Sequence, residues 1–196
     1  KHAVLQGANA FMMPSERTTR ICAPTIKSKR ETMRIENKMY RSLGRLNKLP
    51  ASWREAVQTR LMGRFVPFLG TAGLRFEHIS REQVRVSVRN RRAVQNHIGG
   101  VHACAMALLA ETATGFATQM NTPDDKLILL KSMNAQYVKR AEGNMYAVAH
   151  ISEEMAARLQ NEERGNMIVP CEVGDESGEA PVLVETVWAW VLKKRD

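Results

Sequence analysis

The stretch Asn96-His97-Ile98-Gly99-Gly100-Val101-His102-Ala103-Cys104-Ala105-Met106-Ala107-Leu108-Leu109-Ala110-Glu111-Thr112-Ala113 decides how this chain reads. It begins polar and glycine-rich and runs into Ala, Leu and Met, with few β-branched residues and no proline, a composition that favours helix. Residues 101–118 read as a helix of about 18 residues, roughly 27 Å long at 1.5 Å per residue. Its apolar positions go nearly all the way round, so it must be covered on most sides, which calls for a sheet curved around it. The first turn of a helix has free N–H groups and a partial positive charge, suited to an anion or a developing oxyanion. Further along, Glu111 interrupts the apolar run. An unpartnered carboxylate there costs several kcal/mol or takes a raised pKa, which makes it a functional candidate.

Upstream, helix signals begin near Arg34 and sharpen at Ser52-Trp53-Arg54-Glu55, which has the form of a capping box. That helix is expected to run to Met62, with Pro67 and Gly70 closing the segment. Residues 74–79 and 84–88 alternate apolar and polar, as half-buried strands do. Residues 89–96 read as a loop. Downstream, residues 127–139 form a long strand, and Glu142-Gly143-Asn144 is expected to turn it as a hairpin into residues 145–151. Ser152 caps a short helical turn through Leu159. Residues 167–173 and 181–192 then pair as a second hairpin around the loop 174–180. Without repeating β-α units a parallel doubly wound sheet is disfavoured. The fold class is α+β, a buried helix against an antiparallel sheet.

The chain has 196 residues, 44% of them hydrophobic and 25% charged, as expected of one globular domain. Residues 1–32 supply +4 of the net charge of +9 and show no sustained period. They read as a flexible basic leader or an appended segment, with the domain spanning 33–196 and Met33 or Met39 as candidate native starts. No apolar run reaches the ~18 residues of a membrane span, and no secretory signal is visible at the start, so a cytoplasmic location is expected. Cys22, Cys104 and Cys171 form no C-x-x-C pair, and His97 and His102 do not make H-E-x-x-H, so no metal site is expected. Basic residues are not interleaved with aromatic ones, so nucleic acid is not the expected partner.

The central segment resembles that of hotdog-fold acyl-CoA thioesterases, in particular the phenylacetyl-CoA-type branch and its uncharacterised relatives. That branch has Asn, five residues, His-Gly-Gly, seven more, then Asp; here stand Asn96, five residues, His102-Ala103-Cys104 and then Glu111. Residues 135–143, with Lys139 and Arg140 before Gly143, resemble the family's strand that ends in a basic residue and a turn. The resemblance runs from about Ala51 to the C-terminus. It implies a hotdog fold and hydrolysis of an acyl-CoA thioester. Asn96 would orient the carbonyl, the Ala103 N–H would donate to the oxyanion, His102 would stand beside them, and Glu111 would be the general base or, less readily, the nucleophile. Lys139 and Arg140, with Arg91 and Arg92 behind them, are candidates for the CoA phosphates. No separate cofactor is implied, since coenzyme A is part of the substrate. The chain departs from the pattern in having Ala103-Cys104 for Gly-Gly, and Gly115 where some relatives carry a hydroxyl, with Thr114 and Thr118 as substitutes.

Ala103 and Glu111 are eight residues apart, about 12 Å along a helix. One thioester carbon cannot lie within reach of both. A second subunit must supply one of them, and a two-fold dimer does so twice; the resemblance implies the same, as a homodimer or a dimer of dimers. Beside this stand plainer readings: Glu111 as a helix-edge residue salt-bridged at a subunit interface, Asn96 as a turn residue, His102 as a capping or core histidine, His97 as structural or solvent-facing, Cys104 as a small core residue, and Trp188 and Trp190 as core or interface. At the level of function the alternatives are a non-catalytic hotdog that binds acyl-CoA or acyl-carrier protein, a hydratase, and a basic nucleic-acid-binding module.

Overall fold

A computed structural model describes residues 37–46 and 48–194, and of Ala51 and Ser52 the backbone alone. In chain order the elements are α1 (Lys38–Leu46), α2 (Ala51–Phe65), α3 (Pro67–Ala72), β1 (Leu74–Ile79), β2 (Gln83–Val88), a 3-10 turn (Arg92–Val94), α4 (Ala103–Asn121), β3 (Lys126–Tyr137), β4 (Met145–His150), α5 (Glu153–Asn161), β5 (Gly165–Val169), β6 (Cys171–Asp175) and β7 (Val182–Leu192). The leader expected at residues 1–32 lies outside the described residues.

All strand pairs are antiparallel, in the orders β1-β2-β4-β6 and β3-β7-β5. Only Pro170 separates β5 from β6, yet β5 pairs with β7 and β6 with β4. The chain crosses from one sheet to the other at a residue with no N–H to give to a ladder. The two sheets thereby form one curved wall, and α4 packs against β2, β4 and β6 of one and β3 and β7 of the other. Val84, Val86 and Val88 from β2 and Ala147 and Ala149 from β4 meet Ala105, Leu109, Ala110, Ala113 and Ala117 from α4, all buried. Alanines at these helix positions let the sheet come close, and Phe116 fills the remaining space edge-on to Phe76 at 4.8 Å between ring centres. This helix wrapped by an antiparallel sheet is the hotdog architecture.

Helices α1–α3 lie on the flank of α4 that the sheets leave open. Asn37 Nδ2 donates to Gln119 O at 2.6 Å and Thr122 O at 2.7 Å at the C-terminal end of α4, while Asn37 Oδ1 accepts from Tyr40 N at 2.8 Å. Thr59 Oγ1 accepts from Phe76 N at 3.0 Å, tying α2 to β1.

Several sequence expectations are corrected. The capping box does not form: α2 begins at Ala51 with Pro50 in the cap position and no side-chain cap, so Ser52 is already inside the first turn. Pro67 opens α3 instead of closing the segment, because the first turn of a helix tolerates a missing N–H. The central helix starts at Ala103, since Val101 is bridged to Gln95. The first expected hairpin does not exist, and of the second only the pairing of residues 165–169 with 186–190 does, β6 pairing with β4 instead. Strand β3 has 12 residues and pairs over its length with the 11-residue β7, from Lys126↔Leu192 to Tyr137↔Val182; β4, with six residues, is too short to satisfy it and lies between β2 and β6. The strand expected over 167–173 is two strands in different sheets.

Candidate active site

The approach to α4 is a closed turn. Asn96 N donates to Gly100 O at 2.8 Å, and Asn96 Oδ1 accepts from both Ile98 N and Gly100 N at 3.1 Å. Gly99 takes the left-handed conformation, φ +79°, that this turn requires. The Asn96 side chain therefore builds the turn with its oxygen and keeps its Nδ2 without a partner among the described residues. His102 is the cap: its Nδ1 accepts from Cys104 N at 3.1 Å, which leaves the ring proton on Nε2. Ala103, the first helical residue, keeps its backbone N–H without an acceptor among the described residues.

Two distant side chains fasten this end. Tyr137 Oη donates to Ala103 O at 3.0 Å, and Arg140 donates to Ile98 O at 2.8 Å. Burial, and then the neighbouring Cys104, push the Tyr137 hydroxyl above its ordinary pKa, so it stays a donor. Arg140 is thus brought to the turn, while Lys139 pairs with Glu179. Arg91 lies further off and donates to Thr71 O. Cys104 is exposed, not a core residue, and His97 is exposed.

Glu111, two turns further on, has a different setting. It is half-buried and makes no ion pair within the chain among the described residues. Loss of water raises its pKa above the ordinary carboxylate value, with the Thr112 hydroxyl opposing weakly. Thr112 is itself 2% exposed, and its hydroxyl has no well-formed hydrogen bond. Both line a cavity of about 160 Å³ with Met39, Phe65, Val66, Leu69, Gly115, Phe116, Gln119, Ile128 and Trp188.

Trp188 is held across α4 by its Nε1, which donates to Thr114 Oγ1 at 2.9 Å. Thr114 Oγ1 in turn donates back to Ala110 O at 2.9 Å, and Thr118 Oγ1 to Thr114 O at 2.8 Å. Neither threonine hydroxyl is therefore free to replace the one expected beside the carboxylate. Gly115 is needed for a close approach: a Cβ there would stand 2.8 Å from the indole Cη2. The roles of Thr112, Gly115 and Trp188 at this cavity escaped the sequence reading. The one available sign was a glycine inside a helix, which costs about 1 kcal/mol against alanine and so asks for a packing reason.

Residues 54–191 match a family model described as a domain of unknown function, DUF4442. The chain belongs to the DUF4442 family. No curated protein matches this DUF4442 chain. Among solved structures it is similar to a Pseudomonas aeruginosa protein of unknown function described as a "Probable Thioesterase", at 21% identity and a TM-score of 0.65, covering 74% of this chain and 97% of that one. It is similar also to a mutant thioesterase from the same organism, at 16% identity, TM-score 0.57, covering 69% and 93%. A Haemophilus influenzae thioesterase matches at 12% identity, TM-score 0.52, covering 64% and 82%. At these identities the likeness establishes the fold, a hotdog, as the resemblance implied. Among the described residues of this DUF4442 domain no group of three His, Cys, Asp or Glu could hold a metal ion, and no helix is long and apolar enough to cross a membrane.

Proposed function

We propose that this DUF4442 domain hydrolyses an acyl-CoA thioester to the free acid and CoA, as a homodimer or a dimer of dimers. The observation that carries the reading is Glu111: a half-buried carboxylate without an ion pair among the described residues, its pKa raised by burial, on the same helix whose N-terminus offers the Ala103 N–H. A carboxylate of raised pKa is a better base for water near neutral pH. Water attacks the thioester carbon as Glu111 takes its proton. The oxyanion accepts from the Ala103 N–H of a second copy, and collapse expels the CoA thiolate. Asn96 Nδ2 holds the carbonyl from the same side, and His102, as the cap, fixes where the amide points.

The second copy is required by the eight-residue separation of Ala103 and Glu111 on one rigid helix. Strand β3 supports it: an edge strand of 12 residues that exposes Leu127, Leu129 and Leu130 is a ready pairing surface. Arg140 keeps guanidinium donors beyond its bond to Ile98 O and is the better candidate for a CoA phosphate; Lys139 must first leave Glu179. A second reading, binding of acyl-CoA or acyl-carrier protein without hydrolysis, is favoured by Cys104, whose side chain stands exposed beside the Ala103 donor where relatives have glycine.

Thiol release from short-chain, long-chain and aryl acyl-CoAs, with wild type and Glu111→Gln in parallel, tests the proposal. Release by wild type that falls about 10²-fold or more in the variant supports it. Equal release would remove Glu111 from the mechanism, and tight binding without release would select the second reading.

A further inference from the structure

We infer that the cavity between α2–α3 and α4 receives the acyl group, that Trp188 forms one wall of it, and that it admits about six carbons. The inference rests on the thioester reading for the chemistry of its occupant, and on geometry for the rest. The cavity walls are apolar, from Phe65, Val66, Leu69, Phe116, Ile128 and Trp188, and its polar groups, Glu111 and Thr112 with Gln119 beyond them, all stand on α4. An acyl thioester has the same division, a hydrocarbon with one reactive polar end. Thr112, beside Glu111, adds a further sign: a buried hydroxyl without a well-formed hydrogen bond is uncommon in a folded protein, and it lines this cavity.

The capacity follows from volume. A cavity of roughly 150 Å³ lined by apolar side chains takes a benzene ring. At about 160 Å³ this one takes a six-carbon chain or a single aromatic ring, and not a long fatty chain. Trp188 cannot easily give way, because Thr114 holds its indole nitrogen and Gly115 lies directly beneath the ring. The opposite wall comes from α2–α3, so Val66 and Leu69 set the capacity from that side.

Binding of S-alkyl-CoA thioethers, which cannot be hydrolysed, tests this by calorimetry from methyl to dodecyl, with S-benzyl-CoA added. Wild type should gain about fourfold in affinity per methylene up to about six carbons and then level off, with S-benzyl-CoA near the plateau. Folded Val66→Phe or Gln119→Phe, both at half-buried cavity positions, should move the break to shorter chains. Affinity that is flat across the series, that climbs unbroken to dodecyl, or whose break stays put in a folded filling variant would overturn the inference. Because the thioethers need no turnover, a break at six carbons in a protein that releases no thiol would uphold the cavity while the hydrolytic reading failed.

Discussion

The first turn of α4 and its third turn are built in opposite ways. The first is assembled mainly from its own neighbourhood: Asn96 closes the turn, Gly99 permits it and His102 caps the helix. The third is assembled from across the chain, with Met39, Phe65, Leu69, Ile128 and Trp188 brought around Glu111. The near end presents donors to solvent, and the far position withholds water from a carboxylate. The proposed hydrolysis needs both, and one rigid helix keeps them apart, which is why the proposal draws the two halves from different copies.

The largest effect should come from the far half. Glu111→Gln should lower thiol release about 10²-fold or more without loss of stability. The sign follows from linkage: Glu111 binds its proton more tightly folded than unfolded, so its charge penalises the fold above the folded pKa. The penalty disappears as pH falls toward the unfolded value of 4.5. At neutral pH the glutamine variant should therefore melt at the same temperature as wild type or higher, and a clear drop in its melting temperature would show that the carboxylate has a stabilising partner. In wild type, the acid limb of the rate profile should lie above the ordinary carboxylate range. A limb at 4.5 or below would mean that Glu111 is not desolvated when it acts.

Packing around that carboxylate should give the next effect. Gly115→Ala places a methyl against a fixed indole and should cost about 1–3 kcal/mol in urea unfolding; a neutral result would mean that Trp188 is free to move. The near half should respond least. His102→Ala should cost about 1 kcal/mol through loss of the cap, and His102→Asn should recover most of it, since asparagine caps as well. If asparagine did not help while activity fell, the ring itself would be needed for more than capping.

The same contrast explains what the sequence could disclose. The helix, its donor end and Glu111 were legible because composition, caps and a lone charge in an apolar run are local signals. Strands were legible as elements, but not their partners: nothing in residues 127–139 says that they pair with residues 182–192 in place of the next strand along, because the choice depends on strand length and on the helix both must cover. The break at Pro170 was missed for a related reason, since one continuous apolar pattern serves both sheets. Thr114 and Thr118 looked available and are not, because a helix interior lets hydroxyls bond to carbonyls one turn back. The cavity was invisible because its walls come from five separate segments.

Mixing two inactive variants tests most directly the claim that one site is built from two copies. Glu111→Gln keeps the Asn96 end intact, and Asn96→Ala keeps Glu111. After subunits are exchanged at equal amounts, half the dimers should be mixed and each should hold one intact site of two, so thiol release should return to about a quarter of the wild-type rate. A mixture no more active than its parents, with exchange confirmed by mass labelling of the subunits, would contradict a site shared between copies.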